Sequence, residues 1–561
     1  MPASFRSLAE ICEKLESTTK RKTMVNWVSS FILQLETNEI QPAISMLLGR
    51  AFPRWDQRTL EVSWATLNIV LQKITGIGTE VFSEAFSKTG DVGDAAKIVV
   101  ERSNVKRQAT LFQRPLTILE VQRIFETIAE ATGIGAREKK ERLLETLLSS
   151  ATPLETKYLV RILIGEMRTG FHEGLMELAV AQAYDVSLDV VQTASMLTGA
   201  IGEVVVLAKM GGEKGLRQLD FKVFRPVKPM LAQTATSVAE ALEAHGGQTA
   251  FEYKLDGARV QIHKSGETIK VFSRQLTDVT TSLPEIVDFV QKEVQADEAV
   301  LEGEVVALGR NGSPLAFQHL MRRFRRIRGI EHVAENVSLR LYLFDALYVN
   351  GKSLIERTYV ERRKKLAEVA GTIPLSKQIV AETADVGERF LKESVEAGHE
   401  GLMAKKLDSS YTPGVRGKKW FKIKKTLEPL DLVIAAAEYG YGRRHGWLSD
   451  YYLAARDVDK GGLLTVGKTF KGLTDAEIVE MTRRLKKLAV KQEGHRVIVV
   501  PKVVVEVVYN EIQKSPKYKC GMALRFARIS RIRDDKNVEE VDTVQRIREI
   551  FERQFEKKAR P

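Results

Sequence analysis

Cysteine is nearly absent: Cys12 and Cys520 are the only two in 561 residues. Two thiols can build neither a disulfide framework nor a four-cysteine zinc site, so the chain reads as a reduced, intracellular protein held together by packing. Long apolar runs are missing as well. None approaches the roughly 20 residues a membrane helix needs, and the start, Met1-Pro-Ala-Ser-Phe-Arg, has no signal-peptide core. The expectation is a soluble cytoplasmic protein with no membrane partner. Internal repeats and low-complexity tails are also lacking.

Positive charge is plentiful. The formal net charge is +13 and the sequence pI is near 9.4, a balance that favours polyanionic partners, nucleic acid above all. Hydrophobic residues at 44% suffice for sizeable cores, and the length suits three or four domains of roughly 100–200 residues each.

Texture divides the chain at residues 1–225, 226–426 and 427–561. The first part is helical: Leu143-Leu144 followed by Leu147-Leu148, and Leu159-Val160 followed by Ile162-Leu163, repeat at helical spacing. The glycine-rich stretch Gly211–Gly215 predicts a loop before a boundary near Pro226–Pro229. The second part mixes alternating strands (Phe251–His263, Val300–Leu308, Leu339–Val349, Trp420–Lys424) with helices at Glu361–Ala370 and Val386–Ala397, an α+β pattern. The third part, with strands at Leu432–Ala437, Tyr451–Arg456, Leu463–Gly467 and Lys502–Tyr509, predicts a small β-barrel. It closes with an amphipathic helix, Val544–Lys558, that either docks on its own domain or turns a basic face to a partner.

The strongest local signal is Glu252-Tyr253-Lys254-Leu255-Asp256-Gly257-Ala258-Arg259. Strand alternation puts Glu252 and Lys254 on one face, and a turn at Asp256-Gly257 sends Arg259 back toward the same pocket. A lysine nucleophile attacks only when neutral, so cations or a metal nearby are expected to lower its pKa. Further along come Phe272-Ser273-Arg274, then Glu302-Gly303-Glu304, where two carboxylates share a face and Gly303 leaves room for a ligand. Next are Leu343-Phe344-Asp345, with an aromatic able to stack on a base, and Glu400-Gly401-Leu402-Met403. Last is Trp420-Phe421-Lys422-Ile423-Lys424, whose two same-face lysines call for an anion between them. Each element alone has a bland explanation in strand packing. Their order does not.

This ordered series resembles the motifs of covalent nucleotidyltransferases, and most closely the ATP-dependent DNA ligases of the archaeal and eukaryotic replicative type, along nearly the whole chain. Arg525-Phe526-Ala527-Arg528 leading to Arg533-Asp534-Asp535-Lys536 resembles the last motif, with Ala527 where the family usually has proline. The resemblance implies a multidomain fold: an all-α N-terminal DNA-binding domain, an α+β adenylation domain and a C-terminal OB-fold β-barrel. It implies ATP as AMP donor, Mg²⁺ or Mn²⁺ as metal, nicked duplex DNA as substrate, and work in replication, repair and recombination as a monomer. It also implies Lys254 as the nucleophile, Glu252 and Arg274 on the nucleoside, Phe344 stacked on adenine, and Arg259 on phosphate or the nick end. Glu304 and Glu400 would face the metal, with the adenosine ribose as the alternative partner of Glu304; Arg416 and Lys422 would grip phosphates with Lys424 beside them, and Arg533 and Lys536 would orient pyrophosphate. Arg168-Thr169-Gly170 resembles the family's phosphate-contacting turn, where glycines and helix N-termini approach the DNA backbone.

Two weaker signals are the basic run Arg322–Arg328, a DNA-facing patch or a solvated face, and Gln108–Phe112, a loose likeness to a sliding-clamp peptide that lacks paired aromatics. Rival readings are an RNA ligase or capping-type guanylyltransferase, and a catalytically idle DNA-binding scaffold. An NAD-dependent ligase would be expected to carry a cysteine zinc module, which two cysteines cannot build.

Overall fold

The computed structural model describes residues 2–103, 115–219, 221–309, 312–315, 320–321, 338–412, 414, 416–424 and 427–555. Twelve helices among these fill the first 217 residues and share one core. Helix Pro153–Ile164 shows how the sequence writes them. Thr152 and Glu155 form a capping box, Pro153 takes the first turn, where its missing N–H costs nothing, and Gly165 ends the helix at φ 75°. The expected loop at Gly211–Gly215 is instead part of helix Ile201–Arg217, broken only by a kink at Gly212 (φ 54°, ψ −148°). Val204, Val205 and Ala208 before the kink and Leu216 after it are buried in the same core, so packing carries the helix through the glycines.

Beneath the turn at 165–170 lies a charge network. Arg161 is 1% exposed and reaches Glu16 (2.8 Å), Asp91 (3.0 Å) and Asp94 (3.1 Å), while Lys157 meets Glu13, Glu16 and Asp94. Burial opposes the Glu16 charge, but its bonds to Arg161 and Lys157 win and pull its pKa down to about 2. That stabilisation is present above the ordinary glutamate pKa and fades as pH falls toward 2. Removing the central cation leaves four carboxylates, Glu13, Glu16, Asp91 and Asp94, to Lys157 and, at Asp91, to Arg168. Arg161→Met is expected to cost roughly 3–5 kcal/mol and lower the melting point of this region by roughly 10 °C, read by calorimetry; an unchanged melt contradicts the role.

The middle region holds two sheets. One runs β1 (Leu231–Thr234), β10 (Arg416–Lys424), β9 (Gly401–Lys405), β2 (Thr249–Lys254), β8 (Gln378–Ala381); the other runs β4 (Thr268–Ser273), β3 (Ala258–Ser265), β5 (Glu298–Leu308), β6 (Ser338–Val349), β7 (Lys352–Ser353). The chain crosses from the first sheet to the second at Leu255–Gly257, directly after Lys254. A Cβ on Gly257 would lie 2.3 Å from the Val305 carbonyl oxygen, so only glycine fits this crossing. Gly303 proves to serve the sheet rather than a ligand: a Cβ there would meet the Leu341 side chain and the Tyr342 carbonyl at 2.8 Å.

The last region is β-rich around one core. β11 (Leu430–Tyr439) pairs with β12 (Leu448–Arg456), with β15 (Arg496–Val499) and with β16 (Val504–Val508). β13 (Leu463–Thr469), β14 (Ala489–Glu493) and β19 (Arg528–Ile532) extend this sheet, and β17 (Glu511–Lys514) with β18 (Met522–Arg525) forms a hairpin. Pairings among the described residues leave the barrel unclosed. Helix Val544–Phe555 buries Val544, Ile547 and Ile550 in this core. The helical region and the β-rich region touch as well: Phe86 stacks on Tyr441 at 5.9 Å, and His445 Nε2 lies 3.1 Å from the Ser87 carbonyl oxygen. No helix among the described residues is long and apolar enough to cross a membrane.

Candidate active site

One cavity of about 1080 Å³ opens between the two middle sheets, and residues from the C-terminal region, Asn510, Glu511, Arg525 and Phe526, complete its wall. Nine of the expected residues line it: Glu252, Lys254, Arg259, Arg274, Glu304, Phe344, Glu400, Lys422 and Lys424.

Lys254, at the end of β2, pairs with the Glu400 carboxylate, which Lys424 holds from the other side at 2.7 Å. A protein carboxylate thus stands between Lys254 and Lys424. Burial works against the Lys254 ammonium, but Glu400, Glu304 and Asp256 outweigh it and raise its pKa. The expectation of a lysine discharged by nearby cations is reversed: in this state Lys254 is held as its ammonium. Glu400 is half-buried, and although its partial burial opposes the charge, Lys254 and Lys424 pull its pKa down to about 2. Glu304 goes the other way. Burial lifts it to about 7 against the pull of Lys254 and Arg259, with Glu400 and Asp256 adding repulsion. Two carboxylates on one wall therefore differ in charge near neutral pH.

Arg259 lies on the other expected carboxylate, Glu302, at 2.7 Å, and also donates to the Met230 carbonyl (2.8 Å) and the Tyr411 hydroxyl (3.1 Å). Its guanidinium sits 5.3 Å from the centre of the Phe344 ring. Arg274 is exposed in the turn after β4.

Other expected residues lie elsewhere. Arg533 and Lys536 share Asp431 (3.1 and 2.7 Å) beside a separate basic cleft with Arg484, Lys487 and Lys502. Arg168 (φ 55°) and Gly170 (φ 72°) shape the turn between helices Pro153–Ile164 and Glu173–Tyr184, with Thr169 buried. The Arg168 guanidinium is held by Glu166 (2.6 Å), the Gly90 carbonyl (2.8 Å) and Asp91 (3.4 Å). The Arg416 side chain, Gln108–Phe112 and Arg322–Arg328 lie outside the described residues.

Sequence reasoning missed the polar groups packed behind Phe344. Lys405 ends β9, and Tyr359 and Arg363 stand one turn apart on helix Tyr359–Val369; all three converge on Glu252. Charged residues at otherwise apolar positions were the available signal.

A half-buried lysine stands at the edge of a cavity with carboxylates on one side and an aromatic ring on the other, an arrangement suited to covalent transfer of a nucleotidyl group. Family models match in three consecutive stretches: DNA ligase N terminus at residues 4–181, ATP dependent DNA ligase domain at 229–424, and ATP dependent DNA ligase C terminal region at 444–536. DNA ligase 1 of Korarchaeum cryptofilum is 46% identical over 99% of both chains, and the DNA ligase of Thermococcus fumicolans is 43% identical over 98% of both. The solved structure Pmar-Lig_Pre has the same fold, with a TM-score of 0.56 over 94% of this chain and 99% of that one, at 18% identity. This chain belongs to the ATP-dependent DNA ligases, enzymes that use ATP to seal nicks in DNA.

Proposed function

We propose that Lys254 is the residue that carries AMP. The observation behind this reading is its position, between the Glu400 and Glu304 carboxylates in the one cavity that also presents Phe344. Adenine stacks on Phe344, with Glu252 and Arg274 toward the nucleoside, while Lys422, Lys424 and Arg416 meet the phosphates. Lys254 Nζ attacks the α-phosphorus in line with the departing pyrophosphate, and AMP then passes to the 5′-phosphate of a nick. The 3′-hydroxyl displaces AMP and closes the strand. Arg259 helps hold the phosphate or the nick end. Arg533 and Lys536 reach pyrophosphate only if the C-terminal region turns, because they now sit at a different cleft.

No group of three or more metal-ligating side chains stands together among the described residues. A Mg²⁺ or Mn²⁺ site made of one or two carboxylates and completed by substrate phosphate fits this donor set, with Glu304 and Glu400 holding it. The metal would supply neutralisation of charge on the leaving pyrophosphate. Lys254 must give up a proton before it attacks, and Glu400, its main counter-ion, is the group that holds that proton in place.

The same reading assigns residues 1–225 to DNA binding, 226–426 to adenylation and 427–561 to the OB-fold. Arg168, Thr169 and Gly170 touch the backbone of nicked duplex DNA once Arg168 exchanges its carboxylates for phosphate. The enzyme works as a monomer in the cytoplasm, at the nucleoid, and a sliding clamp is a candidate partner. The test is stepwise. ATP with Mg²⁺ should give a stable AMP adduct that nicked duplex discharges into sealed product and AMP, and chelating the metal should block the first step. An adduct formed equally well with no divalent metal sinks the assignment of Glu304 and Glu400.

A further inference from the structure

The basic cleft beside Arg533 and Lys536 holds cations that its ion pairs leave unanswered. It encloses about 350 Å³, and six cations from three separate segments line it among the described residues. Arg483, Arg484 and Lys487 end helix Asp475–Lys487, Lys502 precedes β16, and Arg533 and Lys536 follow β19. Four of the six already have partners. Arg483 and Arg484 share Glu480 (2.7 and 3.1 Å), and Arg484 also holds Asp534 at 2.6 Å. Arg533 meets Asp431 (3.1 Å), Asp535 (2.6 Å) and Glu506 (3.8 Å), and Lys536 meets Asp431 at 2.7 Å. Lys487 and Lys502 differ. Both are exposed, and neither makes an ion pair among the described residues.

A cation in the last turn of a helix suits the partial negative charge of that helix end, and this accounts for Lys487 taken alone. It does not account for Lys502, which stands in the loop between β15 and β16. Like charges brought together from separate segments repel unless an anion lies among them. The layout of the charge narrows what that anion is. A DNA strand carries one charge per phosphate and spreads them along its length, so its usual partner is a track of cations. Here the cations converge on one small cleft, which fits a compact polyanion of two linked phosphates.

We propose that Lys487 and Lys502 bind the β- and γ-phosphates of ATP as they depart as pyrophosphate, completing the grip of Arg533 and Lys536. Neither lysine belongs to the ordered motifs of the sequence. The inference rests on the reading that Arg533 and Lys536 meet pyrophosphate once the C-terminal region turns toward Lys254. In that step the Lys254 nitrogen bonds to the α-phosphorus, and the bond from that phosphorus to the bridging oxygen breaks. Its electron pair leaves with pyrophosphate, and the protons shed by the amine pass to solvent. Negative charge therefore grows on the group that this cleft holds. Carboxylates beside Arg533 and Lys536 offset part of their pull, so the two unpaired lysines supply the attraction that remains. That attraction is stronger in the transition state than in bound ATP, and it speeds the step as well as holding the substrate.

The experiment follows three reactions of the full-length enzyme: adduct formation from ATP and Mg²⁺, its reversal by inorganic pyrophosphate, and closure of a nick already carrying 5′-linked AMP. In the double variant Lys487→Ala with Lys502→Ala, adduct formation at limiting ATP should slow by at least about tenfold. The pyrophosphate concentration giving half-maximal reversal should rise by at least about tenfold as well. Closure of the pre-adenylated nick neither uses nor releases pyrophosphate and should stay within about twofold of native. Arginine at both positions should keep all three reactions within about threefold of native, because it also meets phosphate as a cation. Both side chains are exposed, and a melting curve matching the native one checks the fold. Native adduct formation and native pyrophosphate use in the double alanine variant overturn the proposal. An equal loss in closing the pre-adenylated nick also overturns it, since the cleft would then be a grip on DNA. Lys536→Ala separates this inference from the reading beneath it. If Lys536→Ala slows adduct formation and the double variant does not, the inference alone fails. If Lys536→Ala too leaves adduct formation and reversal unchanged, the pyrophosphate role of Arg533 and Lys536 fails, and the inference with it.

Discussion

Lys254→Ala should eliminate the AMP adduct and reduce sealing of an ordinary nick by on the order of 10⁴-fold or more, while leaving closure of a nick that already carries 5′-linked AMP within about tenfold of the native enzyme. The two halves separate chemistry from folding. Only the first step and the hand-over of AMP use the amine. Final attack by the 3′-hydroxyl needs the cavity, its cations and the DNA grip, all of which lie on other residues. Alanine also frees Glu400, but Lys424 remains 2.7 Å away to hold its charge, so the cavity should survive. Gel assays on plain and pre-adenylated nicks read both outcomes. Loss of both activities together, with an unchanged melt, would mean that Lys254 shapes the site rather than carrying the nucleotide.

Magnesium demand should depend on pH because of Glu304. Its pKa of about 7 means that below neutrality a proton occupies a carboxyl assigned to the metal, while above neutrality the carboxylate is free. The Mg²⁺ concentration giving half-maximal adduct formation should therefore rise as pH falls from 8 to 6, by up to about tenfold per unit below 7. Glu400, held at about 2, stays ionised throughout and adds no inflection. Glu304→Gln should flatten the dependence and slow adduct formation by on the order of 10²-fold at saturating metal. Discharge of the Lys254 ammonium also favours high pH, but it changes the maximal rate rather than the metal needed, so titrations at each pH keep the two apart. An identical Mg²⁺ requirement at pH 6 and pH 8 would take Glu304 out of the metal site.

Much of this site was legible in the sequence because strand alternation is a strict geometric rule. It put Glu252 and Lys254 on one face, and Glu302 and Glu304 on another, and the structure brings Glu252, Lys254 and Glu304 to one cavity while Glu302 is buried against Arg259. Charge state was not legible. Which carboxylate Lys254 meets depends on β2 and β9 lying side by side, a pairing of residues about 150 positions apart. The same limit hid Lys405, whose three surrounding rings come from β6, β10 and helix Tyr359–Val369. Glycine was ambiguous for a different reason. Gly303 and Gly211–Gly215 look alike as signals of openness, yet one is demanded by a neighbouring strand and the others ride inside a helix. Arg533 and Lys536 were placed by resemblance alone, and in this arrangement they stand at another cleft.

The most direct measurement is peptide mapping by mass spectrometry after incubation with ATP and Mg²⁺. A single AMP on the peptide containing Glu252-Tyr253-Lys254, attached through the Lys254 side chain and discharged by nicked duplex, is the expected result. AMP on any other residue, or an adduct that nicked DNA does not consume, would contradict it.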